Sequence, residues 1–341
     1  MNNYDDNHID LNDKVILITG GTGSFGKEFT RIVSENYKPK KLIIFSRDEM
    51  KQYEMAQLYG SKKYPYMRYF IGDVRDLARL EMAMRDVDYV IHAAALKHVP
   101  IAEYNPFECI HTNVLGAENI VRAAIKSNVK KVIALSTDKA VNPANLYGAS
   151  KLASDKIFVA ANSLSGDQGT RFSIVRYGNV VGSRGSVVPL FKKIFETGKD
   201  KLPITDVRMT RFWITLGKSV NFVLSSLSIM EAGEIFVPKL PSMKLVDLAN
   251  VIAPGVKHEI VGIRPGEKLH EILITEQDAV STIEMPDRFI ITPNSYYKHD
   301  KWSSYDNSLV PEDFSYSSNN NDVWLKEDQL KEIINTEIQY K

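Results

Sequence analysis

Cysteine is nearly absent from this chain: Cys109 stands alone among 341 residues. A single thiol excludes an intrachain disulfide framework and fits a reducing compartment, and Cys109 itself is expected as a packed helix residue. Long apolar runs are missing too; none approaches the roughly 18 residues that a membrane-spanning helix needs. Neither sign of charge dominates. Lys and Arg number 43 against 42 Asp and Glu, a formal net charge of +1, and no Lys/Arg block stands out. Nucleic acid is therefore not an expected partner. The opening Met1-Asn-Asn-Tyr-Asp-Asp-Asn-His8 is polar and acidic, without the basic and apolar regions of a secretion signal. The expectation is a soluble, cytoplasmic protein with no membrane partner and no metal site.

What is present is a regular alternation. Short apolar runs at Val15–Ile18, Leu42–Phe45, Met67–Ile71, Asp88–His92, Val132–Ser136 and Phe172–Arg176 read as strands. Helix-period segments at Lys27–Glu35, Leu77–Arg85, Asn113–Ser127 and Tyr147–Leu164 separate most of them. Buried strands alternating with helices predict a parallel sheet with right-handed crossovers. The length suits a large domain and a smaller one. Residues 1–12 read as a mobile lead-in, and 13–182 as the main part of a dinucleotide-binding Rossmann domain. Residues 183–341 read mainly as a smaller C-terminal α/β substrate-binding lobe, interleaved with the end of the sheet. In that lobe Val187–Thr197, Lys218–Met230 and Leu245–Ile252 are helical candidates. Residues 293–323 read as irregular, with a last amphipathic helix near Asp328–Glu337. The predicted fold class is therefore α/β, with a Rossmann-type doubly wound parallel sheet.

The first strand runs into Thr19-Gly-Gly-Thr-Gly-Ser-Phe-Gly26, which opens the first helix. Gly20, Gly23 and Gly26 allow a tight turn and close backbone approach, and the helix N-terminus offers free N–H groups to a pyrophosphate. Thr22, Ser24 and Phe25 join this candidate cofactor loop. About 20 residues on, where an acidic residue usually holds the ribose 2′-hydroxyl, the chain instead has Ser46 and Arg47, with Lys51 one turn later. A guanidinium suits a 2′-phosphate, so NADP is favoured over NAD. Asp48 remains open as a helix N-cap or a ribose ligand. Asp73 and Val74 would border the adenine, and Ala93, Ala94 and Ala95 have side chains small enough for close approach.

Tyr147 and Lys151 stand one helical turn apart on one face. Cationic Lys151 is expected to lower the pKa of the Tyr147 phenol, so that it can act as a base toward a hydroxyl. Asp138 and Lys139 end a predicted parallel strand, where side chains reach the cofactor crevice. As catalytic groups they join Tyr147 and Lys151; the bland alternative is a structural ion pair at a strand end.

Through these motifs the chain resembles the extended short-chain dehydrogenase/reductase group. Within it, the chain is similar to the inverting UDP-N-acetylglucosamine 4,6-dehydratases that begin pseudaminic acid synthesis. Phe45-Ser-Arg-Asp-Glu49, His92-Ala-Ala-Ala-Leu-Lys-His-Val-Pro100, Ser136-Thr-Asp-Lys-Ala-Val-Asn-Pro143, Arg176-Tyr-Gly-Asn-Val-Val-Gly-Ser-Arg184 and Arg264-Pro-Gly-Glu-Lys-Leu-His-Glu271 carry the likeness. Retaining relatives show Asp-Glu where this chain has Asp138-Lys139. The resemblance implies UDP-N-acetylglucosamine as substrate, NADP as cofactor and a homo-oligomer, with a hexamer as one form. It implies that Tyr147 takes the C4 hydroxyl proton and Lys151 holds the nicotinamide ribose. Lys139 would then take the C5 proton, provided that burial and Lys151 depress its pKa, while protonated Asp138 assists departure of water. Lys97, Thr137, Asn179, Arg184, Thr210, Arg264 and Glu267 are candidate substrate contacts, and a solvated surface role stays open for each arginine. The rival readings are a retaining dehydratase, a UDP-sugar 4-epimerase, and a binding-only NADP sensor or scaffold.

Overall fold

A computed structural model describes residues 2–5, 8–167, 169–183, 187–198, 200–293, 300–304 and 308–339. Six parallel strands form the first half of the fold: β1 (Val15–Thr19), β2 (Lys41–Ser46), β3 (Met67–Ile71), β4 (Tyr89–His92), β5 (Lys131–Thr137) and β6 (Arg171–Tyr177). Across the sheet they run 3-2-1-4-5-6. Beyond β6 the sheet continues with parallel Ile235–Pro238, then antiparallel Arg288–Ile291, then Thr282–Glu284 at the edge. Strand order reverses between β1 and β4, which opens a crevice at their carboxyl ends. β1, β4 and β6 are buried along almost their whole length, as apolar runs covered by helices on both faces should be.

A second apolar cluster forms the core of the smaller lobe. Phe191, Leu202, Trp213, Met243 and Leu248 pack there with Leu330 and Ile334 of the last helix, Glu327–Gln339. Three short sheets serve this lobe, including Ser242–Lys244 beside Thr210–Ile214 and Ile272–Ile274 beside Tyr316–Ser317. That last strand lies inside the stretch read as irregular. Its Tyr316 ring sits 4.7 Å from Phe212 and its hydroxyl donates to Leu240 O, so aromatic burial orders a segment whose composition is polar.

The segment read as a lead-in also has anchors. Tyr4 is buried against Phe222 at 4.9 Å and donates to Lys239 O at 2.8 Å, and Leu11 is fully buried. Asn113, expected inside a regular helix, falls in a π-helical turn, His111–Leu115, that leads into Gly116–Lys126. The wide turn lets the Asn113 amide bond both polar groups of Leu96 and the Ser150 hydroxyl. It thereby pins the loop after β4 to the helix Leu146–Ser165. Among the described residues, no helix is long and apolar enough to cross a membrane.

Candidate active site

Above the crevice lies one cavity of about 1170 Å³ between the two lobes. Its floor is the turn after β1. Gly20 takes φ +65°, and a Cβ there would come within 2.9 Å of Ala94 N, so this backbone requires glycine. Thr19 Oγ1 ties the tips of β1 and β4 together, bonding His92 Nδ1 at 2.9 Å and accepting from Ala93 N and Ala94 N. Thr22, Gly23, Ser24 and Phe25 line the cavity around the start of the helix Ser24–Asn36. Gly26 does not; it lets that helix pack directly on the backbone of Gly21. Ser46, Arg47, Lys51, Asp73, Val74, Ala93, Ala94 and Ala95 complete the wall beyond.

Asp48 proves to be an N-cap, accepting from Lys51 N at 3.0 Å while its other oxygen pairs with Lys51 Nζ at 2.6 Å. Arg47 is half exposed and reaches Asp73 at 3.5 Å. The bonds of Arg75 and the charge of Arg47 outweigh burial and hold the Asp73 carboxyl below its ordinary range.

The reacting end is built by β5 and the helix after it. Thr137 closes β5 and caps a single 3₁₀ turn, Asp138–Ala140. Asn145 caps the helix Leu146–Ser165 and, through its amide, holds Gly266 O at 2.8 Å, joining this helix to the loop of Arg264 and Glu267. Gly148 lies directly against the Lys139 carbonyl, where any Cβ would collide. That contact draws Tyr147 and Lys151 up to Asp138 and Lys139. Asp138 is fully buried; its Oδ1 accepts from Thr137 Oγ1 and Lys139 Nζ, each at 3.0 Å.

Two residues outside the sequence-predicted set complete this cluster. Glu271 Oε1 sits 3.2 Å from Lys139 Nζ and 3.7 Å from Arg211 Nε. Lys268 Nζ lies 3.8 Å from Glu271 Oε2 and donates to Asp138 O at 3.3 Å. Both occur in the Arg264–Glu271 motif, but nothing in their local spacing says which strand tip they face.

Charge follows from this geometry. Burial, with Glu271 as the second cause, raises the Asp138 carboxyl toward its neutral form. Burial works the same way on Glu271, but Lys139, Arg211 and Lys268 outweigh it and keep that carboxylate ionised. Burial pulls the Lys139 ammonium down, and the two carboxylates more than reverse it, so Lys139 stands above its ordinary value. A full charge about 3 Å away is worth on the order of 5 kcal/mol at an effective dielectric near 20, enough to rival the several kcal/mol of desolvation. The expected depression of Lys139 is thus corrected: it left out Glu271. Tyr147 is likewise pushed up to about 12 by burial, and the cation that opposes this is Lys139 rather than Lys151. Lys151 is itself buried, which pulls its ammonium down.

Lys97, Thr137, Asn179, Arg264 and Glu267 line the cavity. Thr210 does not; it is buried behind the wall, bonded to His270 Nδ1 and Ser318 Oγ at 2.7 Å each. Arg184 lies outside the described residues. Asp138 Oδ2, Asn179 Oδ1, Glu267 Oε2 and Glu271 Oε2 are buried without a hydrogen-bond partner. Buried polar atoms are rarely left so, and those of Asn179, Glu267 and Glu271 border this cavity, which marks a place for a polar ligand; Asp138 itself does not line it but lies behind Lys139. The glycine turn and the small Ala93–Ala95 wall fit a dinucleotide, and the atoms from Asp138 to Glu271 fit a hydroxylated substrate beside it. Among the described residues no cluster suited to a metal occurs. A second cavity of about 1010 Å³, on the far side of the helix Ser24–Asn36, contains none of Asp138, Lys139, Tyr147 and Lys151.

A family model described as polysaccharide biosynthesis protein matches residues 16–293. The chain belongs to this family. It is 60% identical over 332 residues to the UDP-N-acetylglucosamine 4,6-dehydratase (inverting) of Campylobacter jejuni serotype O:2, covering 95% of this chain and 98% of that protein. A UDP-glucose 4-epimerase of Rickettsia canadensis is 44% identical over 286 residues, covering 82% of this chain and 83% of its own length. In structure, Pen from Bacillus thuringiensis superposes with a TM-score of 0.85 at 37% identity, covering 96% of this chain and all of Pen.

Proposed function

We propose that this chain is an NADP-dependent UDP-N-acetylglucosamine 4,6-dehydratase that inverts C5, a reading supported by its 60% identity to the Campylobacter jejuni enzyme of that activity. The observation that carries the reading is Lys139, which lines the same cavity as Tyr147 and Lys151 and is bonded to Asp138, buried just behind the wall. A 4-epimerase needs a tyrosine and a cofactor but no second acid–base pair at C5 and C6. The 44% identity to a 4-epimerase keeps that activity as the second reading.

Bound in the glycine-lined half of the cavity, the nicotinamide would accept hydride from C4 of the sugar and return it at C6. Lys151 would hold the nicotinamide ribose, with Arg47 and Lys51 at the 2′-phosphate. Tyr147 takes the C4 hydroxyl proton, aided by the Thr137 hydroxyl and the charge of Lys139, which offset part of its burial. The C4 ketone acidifies the C5 proton, which Lys139 removes after its ammonium has released its own proton to solvent. Asp138, pushed toward its neutral form by burial, would donate its proton to the departing C6 hydroxyl. Tyr147, protonated after the first step, reprotonates C5 from the opposite face. Lys97, Asn179, Arg264 and Glu267 would meet the diphosphate and uridine. Exposed Ile101, Tyr104, Phe107 and Leu115 fall in the consecutive segments Val99–Tyr104, Pro106–Ile110 and His111–Leu115, and a homo-oligomer rests on the sequence resemblance. A place at the head of pseudaminic acid synthesis rests on the sequence resemblance.

Proton NMR with UDP-N-acetylglucosamine in D2O tests the reading. A new C6 methyl signal, deuterium at C5 and couplings of the L-arabino 4-keto sugar are expected. The D-xylo product would exclude inversion, and a galacto product with no methyl signal would establish the epimerase.

A further inference from the structure

Lys139 is approached from both lobes. Asp138 is its chain neighbour; Glu271 arrives from the smaller lobe, just before the strand Ile272–Ile274. Ser318 pins Glu271 in place, accepting from its N–H at 2.9 Å through Oγ and donating its own N–H to Glu271 O at 2.8 Å. The Glu271 side chain is almost fully buried, yet it borders the cavity and points one oxygen at Lys139 Nζ, 3.2 Å away. Its other oxygen has no hydrogen-bond partner.

We propose that Glu271 is a positioning residue for Lys139: held by the smaller lobe, its carboxylate fixes the lysine ammonium beside Asp138 and governs when the amine is free to accept a proton. This rests on the reading of Lys139 as the C5 base and deepens it. An amine takes a proton from carbon only after giving up its own. The groups facing Lys139 are Asp138 from its own turn, Glu271 and Lys268 from the smaller lobe, Arg211 from Thr210–Ile214, Tyr147 from the helix, and Lys97 from the loop after β4. Lys97, Arg211 and Lys268 favour the neutral amine. Burial pushes Asp138 toward its neutral form, whereas Glu271 is held toward the carboxylate by Lys139, Arg211 and Lys268. Asp138 and Glu271 thus share the ammonium, and Glu271 is the member of the pair that lies on the lobe opposite to the one that carries Lys139.

The test replaces the charge and keeps the shape. Competitive acetylation followed by peptide mass spectrometry reads the titration of Lys139, and the pH profile of kcat reads its use. Glu271→Gln should move both to lower pH by about one to three units, the range an adjacent opposite charge commands. An unmoved titration, or an unmoved kcat limb with a moved titration, overturns the proposal. Should E271Q fail to fold, Glu271→Asp draws the carboxylate back by one methylene; a smaller shift in the same direction supports the proposal and no shift overturns it. A wild-type enzyme that makes no C6-methyl product defeats the dehydratase reading instead, and the acetylation titration still decides the role of Glu271.

Discussion

Asp138 and Glu271 face the same ammonium, that of Lys139, yet their surroundings push them in opposite directions, Asp138 toward the neutral acid and Glu271 toward the carboxylate. The difference lies in their company. Glu271 is paired with Arg211 and Lys268 as well as Lys139, whereas the side chain of Asp138 is paired with Lys139 alone among the described residues. Burial therefore wins at Asp138 and the cations win at Glu271. Two carboxyls whose surroundings push their pKa values apart are the pattern of an acid–base site.

Lys139→Met retains the apolar stem and removes the amine. Dehydration should fall by about 10²- to 10⁴-fold, the usual range for a general base. Oxidation at C4 depends on Tyr147, so reduced nicotinamide should accumulate under single-turnover conditions. Absorbance spectroscopy and product NMR check both effects; full dehydratase turnover in this variant would reject Lys139 as the base.

Arg47 touches Asp73 loosely and is half exposed, so it can turn toward a 2′-phosphate with little loss. Arg47→Ala should weaken NADP by about 1.5–3 kcal/mol, the worth of hydrogen bonds to a charged group, while NAD affinity stays nearly unchanged. Calorimetric titration with each dinucleotide measures the difference. Equal loss for both would mean that Arg47 does not read the 2′-position.

Gly20→Ala places a side chain at positive φ and against the backbone of Ala94. A cost of about 1–3 kcal/mol is expected from the strained conformation. The thermal midpoint should drop, and added NADP should restore less of it than in the wild type, because the turn that receives the pyrophosphate is displaced.

His92 supplies a pH dependence of stability. Burial, with the charge of Lys151 second, lowers its pKa from 6.5 to about 3. Between those values the unfolded chain takes up a proton that the folded chain refuses. The contribution is complete above about pH 6.5 and shrinks as pH falls toward 3, by about 1.4 kcal/mol for each unit. Urea unfolding at pH 7 and pH 5 measures this slope. His92→Asn, which cannot take up that proton, should flatten it; an unchanged slope would assign the effect to other groups.

Much of this architecture is legible in the linear sequence because its causes are local. The apolar runs of β1 to β6, the glycine turn at Gly20 and the Tyr147–Lys151 spacing each depend on a few adjacent residues. The same holds for Asp138 and Lys139 at the end of β5, although only Lys139 lines the cavity and Asp138 is buried behind it. Thr210 reads as a cavity residue by its neighbourhood to Arg211, yet strand alternation turns the two to opposite faces, and Thr210 faces Ser318. Nor does polar composition disclose that Tyr316 packs on Phe212, or that Asn113 lies in a π-turn binding Leu96 and Ser150.

The amino-acid sequence by itself determined the parallel sheet, the glycine turn after β1, the placing of Asp138-Lys139 at the end of β5 and the one-turn spacing of Tyr147 and Lys151. The protonation of those four side chains was decided by tertiary structure alone. Glu271, Lys268 and Arg211 reach Lys139 only when the smaller lobe closes over β5, and Coulomb energy depends on distance in space and on burial, not on separation along the chain.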